Sequence, residues 1–177
     1  MLQDSKGEIM TSQLHTVEKI GGTSMSNYEA VRDNIIIGNR KKDNLYQRIF
    51  VVSAYGGVTN ELLEHKKTGE PGVYQRFADA QSEGAWREAL EGVRQRMLAK
   101  NAELFSSEYE LHAANQFINS RIDDASECMH SLQKLCAYGH FQLSEHLMKV
   151  REMLASLGEA PSAFHSVLAL QQRGGHA

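Results

Sequence analysis

Two glycine pairs, each followed by hydroxyl residues, are the part of this sequence best suited to chemistry. The first lies in residues 19–24, Lys-Ile-Gly-Gly-Thr-Ser, and the second in residues 51–60, Val-Val-Ser-Ala-Tyr-Gly-Gly-Val-Thr-Asn. Each follows an apolar, strand-like segment, and glycine turns at the carboxyl ends of parallel strands present backbone N–H groups to anions. One such turn is a weak signal, but two turns separated by a helix-length segment predict a site that handles phosphate.

The elements that must position these turns are a strand, a helix and a second strand. Residues 15–20 predict the first strand, and residues 49–54 predict the second, whose apolar run is typical of a strand covered on both faces. Between them, residues 27–40 predict a helix capped by Ser26 or Asn27. Its buried face is expected to carry Tyr28, Val31, Ile35 and Ile36. Such a unit implies a right-handed crossover between parallel strands.

Beyond the second glycine turn the pattern becomes helical. A helix is expected over residues 57–66, a turn over residues 68–72, and a long helix over residues 110–135. Two apolar stripes recur at steps of three and four, apart from one step of five between Met97 and Ala102: Trp86, Leu90, Val93, Met97, Ala102 and Phe105, and then Leu143, Leu147, Val150, Leu154 and Leu157. Such stripes indicate core packing, either as a helical cover over the sheet or as a dimer face.

The end of the sequence predicts one more helix boundary. Gly158 is expected to end the helix that carries the second stripe, and Pro161 is expected in the first turn of a further helix. That last helix is expected to end at Gly174 and Gly175.

Composition excludes several classes of protein. The 177 residues are 41% hydrophobic and 23% charged, with a net charge of −3, so no strong attraction to nucleic acid or to an anionic membrane is built in. No apolar run is long enough for a membrane span. Residues 1–14 resemble a disordered or vector-derived leader. Cys128 and Cys136 are too far apart to bridge within one helix, which favours a reduced, cytoplasmic setting and no metal site.

Three ordered motifs resemble the aspartokinases. They are Lys-x-Gly-Gly-Thr-Ser at residues 19–24, Val-Ser-Ala-x-Gly-Gly-Val-Thr-Asn at residues 52–60, and Leu-Gly-Glu with Ser-Ala at residues 157–163. The resemblance implies an α/β amino-acid kinase fold, a carbamate kinase-like αβα sandwich, of which residues 15–177 would be the N-terminal portion with a helical insertion. The insertion and the stretch Cys-Ala-Tyr-Gly-His-Phe at residues 136–141 look most like the branch that accompanies ectoine synthesis.

The resemblance also implies roles. Aspartokinases transfer the γ-phosphoryl group of ATP, with Mg²⁺, to the β-carboxylate of L-aspartate, giving 4-phospho-L-aspartate. Lys19 matches the family's catalytic lysine. The phosphate-binding positions would be Gly21, Gly22, Thr23, Ser24, Gly56 and Gly57, and the substrate-binding positions would be Ser53, Thr59 and Glu159. Ile20, Met25 and Tyr55 depart from the commonest family residues and are expected to change packing around the turns without removing chemistry.

Each candidate has a purely structural alternative. Lys19 could be a solvated charge, and Thr59 or Asn60 could cap the following helix. Glu159 is favourable in the first turn of a helix for dipole reasons alone. His165 is expected to be a partly exposed helix residue and not a base, because a carboxylate acceptor needs no proton abstraction.

The sequence ends at Ala177, before several parts that the family supplies. These are an arginine for the substrate α-carboxylate, an aspartate that organises the lysine, the nucleotide-base lobe and the regulatory ACT domains. The chain alone is therefore expected to have no substantial activity. It could be a piece of an aspartokinase, a non-catalytic binding homologue, or another kinase that forms acyl phosphates. A homo-oligomer is expected, and neither nucleic acid nor membrane is an expected partner.

Overall fold

The computed structural model describes residues 15–40, 45–79, 83–139 and 141–171. Over these residues the protein is mixed α/β, mostly helical with a small parallel sheet. The strands are β1 (Thr16–Ile20) and β2 (Arg48–Val52). The α-helices are α1 (Gly22–Met25), α2 (Tyr28–Ala30), α3 (Val58–Leu62), α4 (Val73–Ala78), α5 (Glu83–Leu104), α6 (Glu108–Ala137) and α7 (Leu147–Gln171). A π-helix (Val31–Ile37) continues α2, and a 3-10 helix (Leu143–Glu145) precedes α7.

The two strands pair in parallel, as predicted, with Val17 opposite Ile49 and Lys19 opposite Val51. The prediction that the second strand is covered on both faces is wrong for the described chain. Val17, Ile49 and Val51 lie on one face and are 67%, 51% and 48% exposed, whereas Phe50 and Val52 pack against the core. The reason is that the helices described here pack against the face opposite these three residues, so alternate side chains face outward.

The helix predicted from residue 27 begins there, as α2. The Asn27 side chain caps it by accepting a hydrogen bond from the Ala30 N–H at 3.3 Å. It then widens into the π-helix, in which Val31 and Ile36 share the buried face five residues apart. The prediction that Ile35 is buried is therefore wrong, since its side chain is 37% exposed. The helix ends at Gly38, which has a φ of +52°, and not at residue 40.

The second glycine pair leads into a shorter helix than predicted, because α3 ends at Leu62. The turn predicted over residues 68–72 is present: Glu64 and Pro71 form an antiparallel bridge around Gly69, whose φ is +73°. Arg151 of α7 makes a two-pronged ion pair with Glu64 at 2.7 Å. That ion pair connects the bridge at the base of this turn to α7.

The first apolar stripe forms the core face of α5, with Trp86, Leu90 and Met97 buried. Ala102 was predicted on this face and is exposed. Asn101 takes that place, fully buried, with its amide donating to the Asn115 side chain at 2.9 Å. Steps of four residues from Met97 reach Asn101 and then Phe105, so the polar residue follows the helical phase and the alanine does not.

The second stripe packs inside the chain. Val150, Leu154 and Leu157 are buried, and α7 contacts α3, α4, α6 and β2. The interpretation as a helical cover over the sheet therefore fits, whereas these side chains offer no dimer face. The predicted helix over residues 110–135 is also present and longer, as α6, and it carries both free cysteines, Cys128 and Cys136.

The predicted break at Gly158 is wrong, because α7 runs continuously past it and holds Pro161 in its interior. Both residues are buried. Packing against the neighbouring helices and β2 outweighs the loss of the proline N–H and the weak helix propensity of glycine. The predicted helix end at Gly174 and Gly175, the leader over residues 1–14, and part of the stretch at residues 136–141 lie outside the described residues.

Candidate functional site

The parallel strands bring both glycine turns to one edge of the sheet. Gly21 follows β1 directly, and Ser53 follows β2. The Ser53 N–H donates to the Ile20 carbonyl at 3.0 Å, so the strand pairing continues to the point where the turns begin. The sequence prediction that these two segments meet is confirmed.

The two turns touch each other through Ser26, a residue that the sequence interpretation considered only as a helix cap. Its hydroxyl accepts from the Gly56 N–H at 3.0 Å and donates to the Gly22 carbonyl at 3.2 Å. A Cβ on Gly22 would lie 2.8 Å from the Ala54 carbonyl oxygen. The spacing of Ser26 from Gly22, one helical turn, was the signal in the sequence that could have identified it.

Lys19 is exposed at the end of β1, on the same face as Val17 and opposite Val51. Within the described part of the chain, its ammonium group makes no hydrogen bond or ion pair. It is therefore available to an anion at this edge of the sheet.

The rest of the first turn is open to solvent. Gly21 begins α1 with extended backbone, at a φ of −76° and a ψ of 160°, and a Cβ there would meet nothing within 4 Å. Thr23 and Ser24 are exposed in α1. The exposed N–H and hydroxyl donors of this segment suit phosphate oxygens.

The second turn is more firmly held. Gly57 has a φ of +90°, a left-handed conformation that favours glycine, and it begins α3. The Arg96 guanidinium of α5 donates to the Gly56 carbonyl at 3.2 Å and pairs with Glu61. A cavity of about 310 Å³ opens beside this turn, with Ser26 and Gly56 among its lining residues.

Ser53 and Thr59 are half-buried on either side of the second glycine pair. No side chain caps α3, and among described residues neither Thr59 nor Asn60 makes a side-chain hydrogen bond. The capping alternative for these two residues therefore finds no support, and the Thr59 hydroxyl is free for a ligand.

Glu159 lies on α7 next to the closest approach of that helix to the second turn. A Cβ on Gly158 would lie 3.1 Å from Ala54 Cβ and 3.4 Å from Leu62 Cδ1. Glu159 itself is exposed, and no ion pair to it occurs within the described ranges. It lies in the interior of α7 and not in a first turn, so the helix-dipole explanation of this residue is wrong.

His165 was expected to be partly exposed and is 1% exposed. Its Nδ1 lies 3.2 Å from the Tyr55 hydroxyl, and the two rings stack with centroids 5.9 Å apart. Burial lowers the pKa of His165 from 6.5 to about 4, so the imidazole is neutral near pH 7. Burial also raises the pKa of the Tyr55 hydroxyl.

The three departures from the commonest family residues are all packing positions, as expected. Ile20, Met25 and Tyr55 are 3%, 0% and 7% exposed. They are buried next to the two glycine turns, so they act on the turns through packing.

Two other kinds of site are absent from the part of the chain that the structure describes. In the described ranges, no three His, Cys, Asp or Glu side chains cluster closely enough to hold a metal ion. None of the helices described here is both long and apolar enough to cross a membrane.

Comparison with known proteins gives one strong similarity. The chain is 89% identical over 161 residues to aspartate kinase Ask_Ect of Stutzerimonas stutzeri (strain A1501), an alignment that covers 91% of this chain and 34% of that protein. The chain thus spans about a third of the length of the curated relative it matches. No family model and no solved structure matches it. The resemblance to aspartokinases carried by the motifs around Lys19 and Ser53 is therefore confirmed, and the chain matches a segment of about a third of such an enzyme.

Proposed function

We propose that this chain carries the phosphate-handling and aspartate-contacting half of an aspartokinase site, within an amino-acid kinase fold. The full enzyme would transfer the γ-phosphoryl group of ATP to the β-carboxylate of L-aspartate. The single observation that carries the proposal is the meeting of two glycine turns at the carboxyl edge of parallel strands, joined by Ser26. The identity to an aspartate kinase supports the same reading.

The first turn would bind the transferred phosphoryl group. The Lys19 ammonium and the backbone N–H groups that follow Gly21 would act together, since donors of this kind stabilise charge that develops on phosphate oxygens. Thr23 and Ser24 add hydroxyl donors. Because little covalent chemistry falls to the protein in phosphoryl transfer, placing these donors in a fixed frame is the main contribution of this segment.

The second turn would hold the acceptor. Ser53 and Thr59 would donate to the aspartate β-carboxylate. The Gly57 N–H would face the phosphate oxygens, whereas the Gly56 N–H is already held by the Ser26 hydroxyl. Glu159 would accept from the substrate amino group, because an exposed carboxylate without a described partner is the complementary charge. The two turns would then set the acceptor oxygen in line with the phosphorus.

The donor set of the described site fits phosphate and not a divalent cation. Apart from the lone carboxylate of Glu159, its groups are N–H donors, hydroxyls and an ammonium, whereas Mg²⁺ takes oxygen ligands, carboxylates above all. The described residues therefore bind ATP oxygens in this proposal, and no step is assigned to them through Mg²⁺. An ATP-dependent reaction and two free cysteines favour a cytoplasmic location.

The 177-residue chain alone is expected to release ADP from ATP and aspartate far more slowly than a full-length aspartokinase. The reason is that the described sheet has two strands and one of its faces is exposed, so the proposed site is open to solvent on that side. A coupled ADP-release assay measures this. Ordinary aspartokinase turnover by the isolated chain would show that the described half-site is sufficient.

Replacement of Glu159 by alanine in a full-length enzyme is expected to raise the aspartate KM about tenfold while the ATP KM stays unchanged. The reason is the loss of one charged hydrogen bond to the substrate amino group. Steady-state kinetics with each substrate varied in turn measures this.

Glu152→Ala is the matched control, since Glu152 is exposed on the same face of α7, two turns earlier, and pairs with Lys149. It is expected to leave both KM values alone. A collapse of ATP binding in Glu159→Ala would contradict the assignment of this residue to aspartate.

A further inference from the structure

A buried pair of aromatic side chains connects the second glycine turn to the last helix. Tyr55 lies directly before Gly56, and its carbonyl accepts from the Val58 N–H at 3.2 Å, which closes the turn around the two glycines. Its hydroxyl meets His165 Nδ1 at 3.2 Å, and both residues are buried. Tyr55 is therefore at once the first residue of the turn and a partner of α7.

Among the described residues, the Tyr55 hydroxyl is the one hydrogen-bond partner of the His165 side chain. Phe105 and Phe164 pack edge-on against the imidazole, with ring centroids 5.7 and 6.3 Å away. Nε2 is buried and has no hydrogen-bond partner among the residues that the structure describes. A buried polar group without a partner costs folding free energy. A histidine at this position is therefore expected to have a role that leucine or phenylalanine could not fill.

The hydrogen-bond inventory favours one arrangement of protons. If the Tyr55 hydroxyl donates to Nδ1, the buried N–H on Nε2 is the single group left unpaired. If Nδ1 carries the hydrogen instead, both the Nε2 lone pair and the tyrosine hydrogen lose partners. The first arrangement leaves fewer groups unsatisfied, so His165 acts as an acceptor that fixes the direction of the Tyr55 hydroxyl.

We propose that His165 is a positioning residue that acts through Tyr55 to hold the second glycine turn where it receives the acceptor carboxylate. This inference rests on the proposed function and deepens it, since it assigns a role to a residue that contacts no substrate. Arg96 holds Gly56 from the side of α5, whereas His165 holds Tyr55 from the side of α7. With both anchors in place, the turn is fixed from two helices.

The experiment uses a full-length aspartokinase that contains this segment. Tyr55→Phe removes the hydroxyl and leaves the ring, and His165→Leu removes the acceptor. Each is expected to raise the aspartate KM about three- to tenfold, which corresponds to one hydrogen bond, without changing the ATP KM. The double variant is expected to be no worse than either single variant, because both act on the same contact.

Two further variants separate positioning from simple stability. His165→Asn places a side-chain amide near the position of Nδ1 and is expected to restore the aspartate KM. Tyr28→Phe removes a similar hydrogen bond to α7, from the Tyr28 hydroxyl to the Ser166 carbonyl at 3.1 Å, outside the second turn. It is expected to lower the melting temperature to a similar extent while the aspartate KM stays unchanged.

An independent readout comes from the 177-residue chain labelled with ¹⁵N-glycine. Tyr55→Phe is expected to shift the Gly56 and Gly57 amide signals and to leave those of Gly92 and Gly139 in place. Unshifted Gly56 and Gly57 signals, or an unchanged aspartate KM in an active Tyr55→Phe enzyme, would overturn the inference. An enzyme that phosphorylates no aspartate would overturn the proposed function instead, and the amide shifts would still decide the role of His165.

Discussion

Acidification from pH 7 to pH 4 is expected to lower the free energy of unfolding by about 3 kcal/mol through His165 alone. Burial holds the pKa of this imidazole at about 4 in the folded protein, against 6.5 as its ordinary value. The unfolded chain takes up a proton on His165 as the pH falls through 6.5, whereas the folded chain does so only near 4. Unfolding is therefore favoured increasingly between these two values, and the loss levels off below them.

Urea unfolding at pH 7, 6, 5 and 4 measures this dependence. In His165→Asn the decline between pH 6.5 and 5 is expected to disappear, whereas His112→Asn, at an exposed position on α6, is expected to keep it. Hydrogen bonds from Arg48 and Arg151 lower the pKa values of Glu18 and Glu64 below their ordinary 4.5. The stability that these carboxylates contribute begins to be lost near pH 5, so the histidine is compared between pH 6.5 and 5. Equal slopes in the wild type and in His165→Asn would contradict the prediction.

Gly22→Ala is expected to lower the stability of the fold, whereas Gly21→Ala is expected to leave stability nearly unchanged and to weaken ATP binding. A Cβ on Gly22 would lie 2.8 Å from the Ala54 carbonyl, so one of the two turns must move, at a cost of about 1–3 kcal/mol in stability. Gly21 has extended backbone and open space around it. Its replacement is expected to change stability by less than about 0.5 kcal/mol.

The two variants form a matched pair for separating folding from ligand binding. Gly21→Ala is expected to raise the ATP KM of a full-length enzyme, because the added methyl group faces open space where phosphate would approach the backbone. Urea unfolding and steady-state kinetics on both variants measure the two effects. A stable Gly22→Ala protein would show that the turns are not in contact, and a Gly21→Ala enzyme with an unchanged ATP KM would remove the first turn from phosphate binding.

The sequence was sufficient to predict what depends on neighbouring residues. The strands, the two glycine turns and the Asn27 cap follow from local pattern, and all were found. Three errors share one physical cause, which is that distant packing decided them. Ile35 was displaced by a π-helix, Gly158 and Pro161 were kept helical by burial, and His165 was enclosed by residues far away in the sequence.

For the candidate site, the sequence could predict which residues belong to it but not the long-range contact that joins its two turns. Its members could be named because the motifs around Lys19 and Ser53 resemble a known family, and the parallel strands do bring them together. Ser26 was missed as the link between the turns, because local spacing signals only its contact with Gly22, whereas its bond to Gly56 spans 30 residues. The roles of Thr59 and Glu159 remain predictions that kinetics can test.

The outward face of the sheet links two events, the burial of its apolar side chains and the enclosure of the proposed catalytic lysine. Val17 and Val51 flank Lys19 on that face. Any layer of protein that buries these valines also encloses the ammonium group and removes part of its water. Desolvation strengthens the attraction between an ammonium and phosphate oxygens, so the free energy released by covering apolar side chains and the strength of the proposed catalytic charge arise in one assembly step.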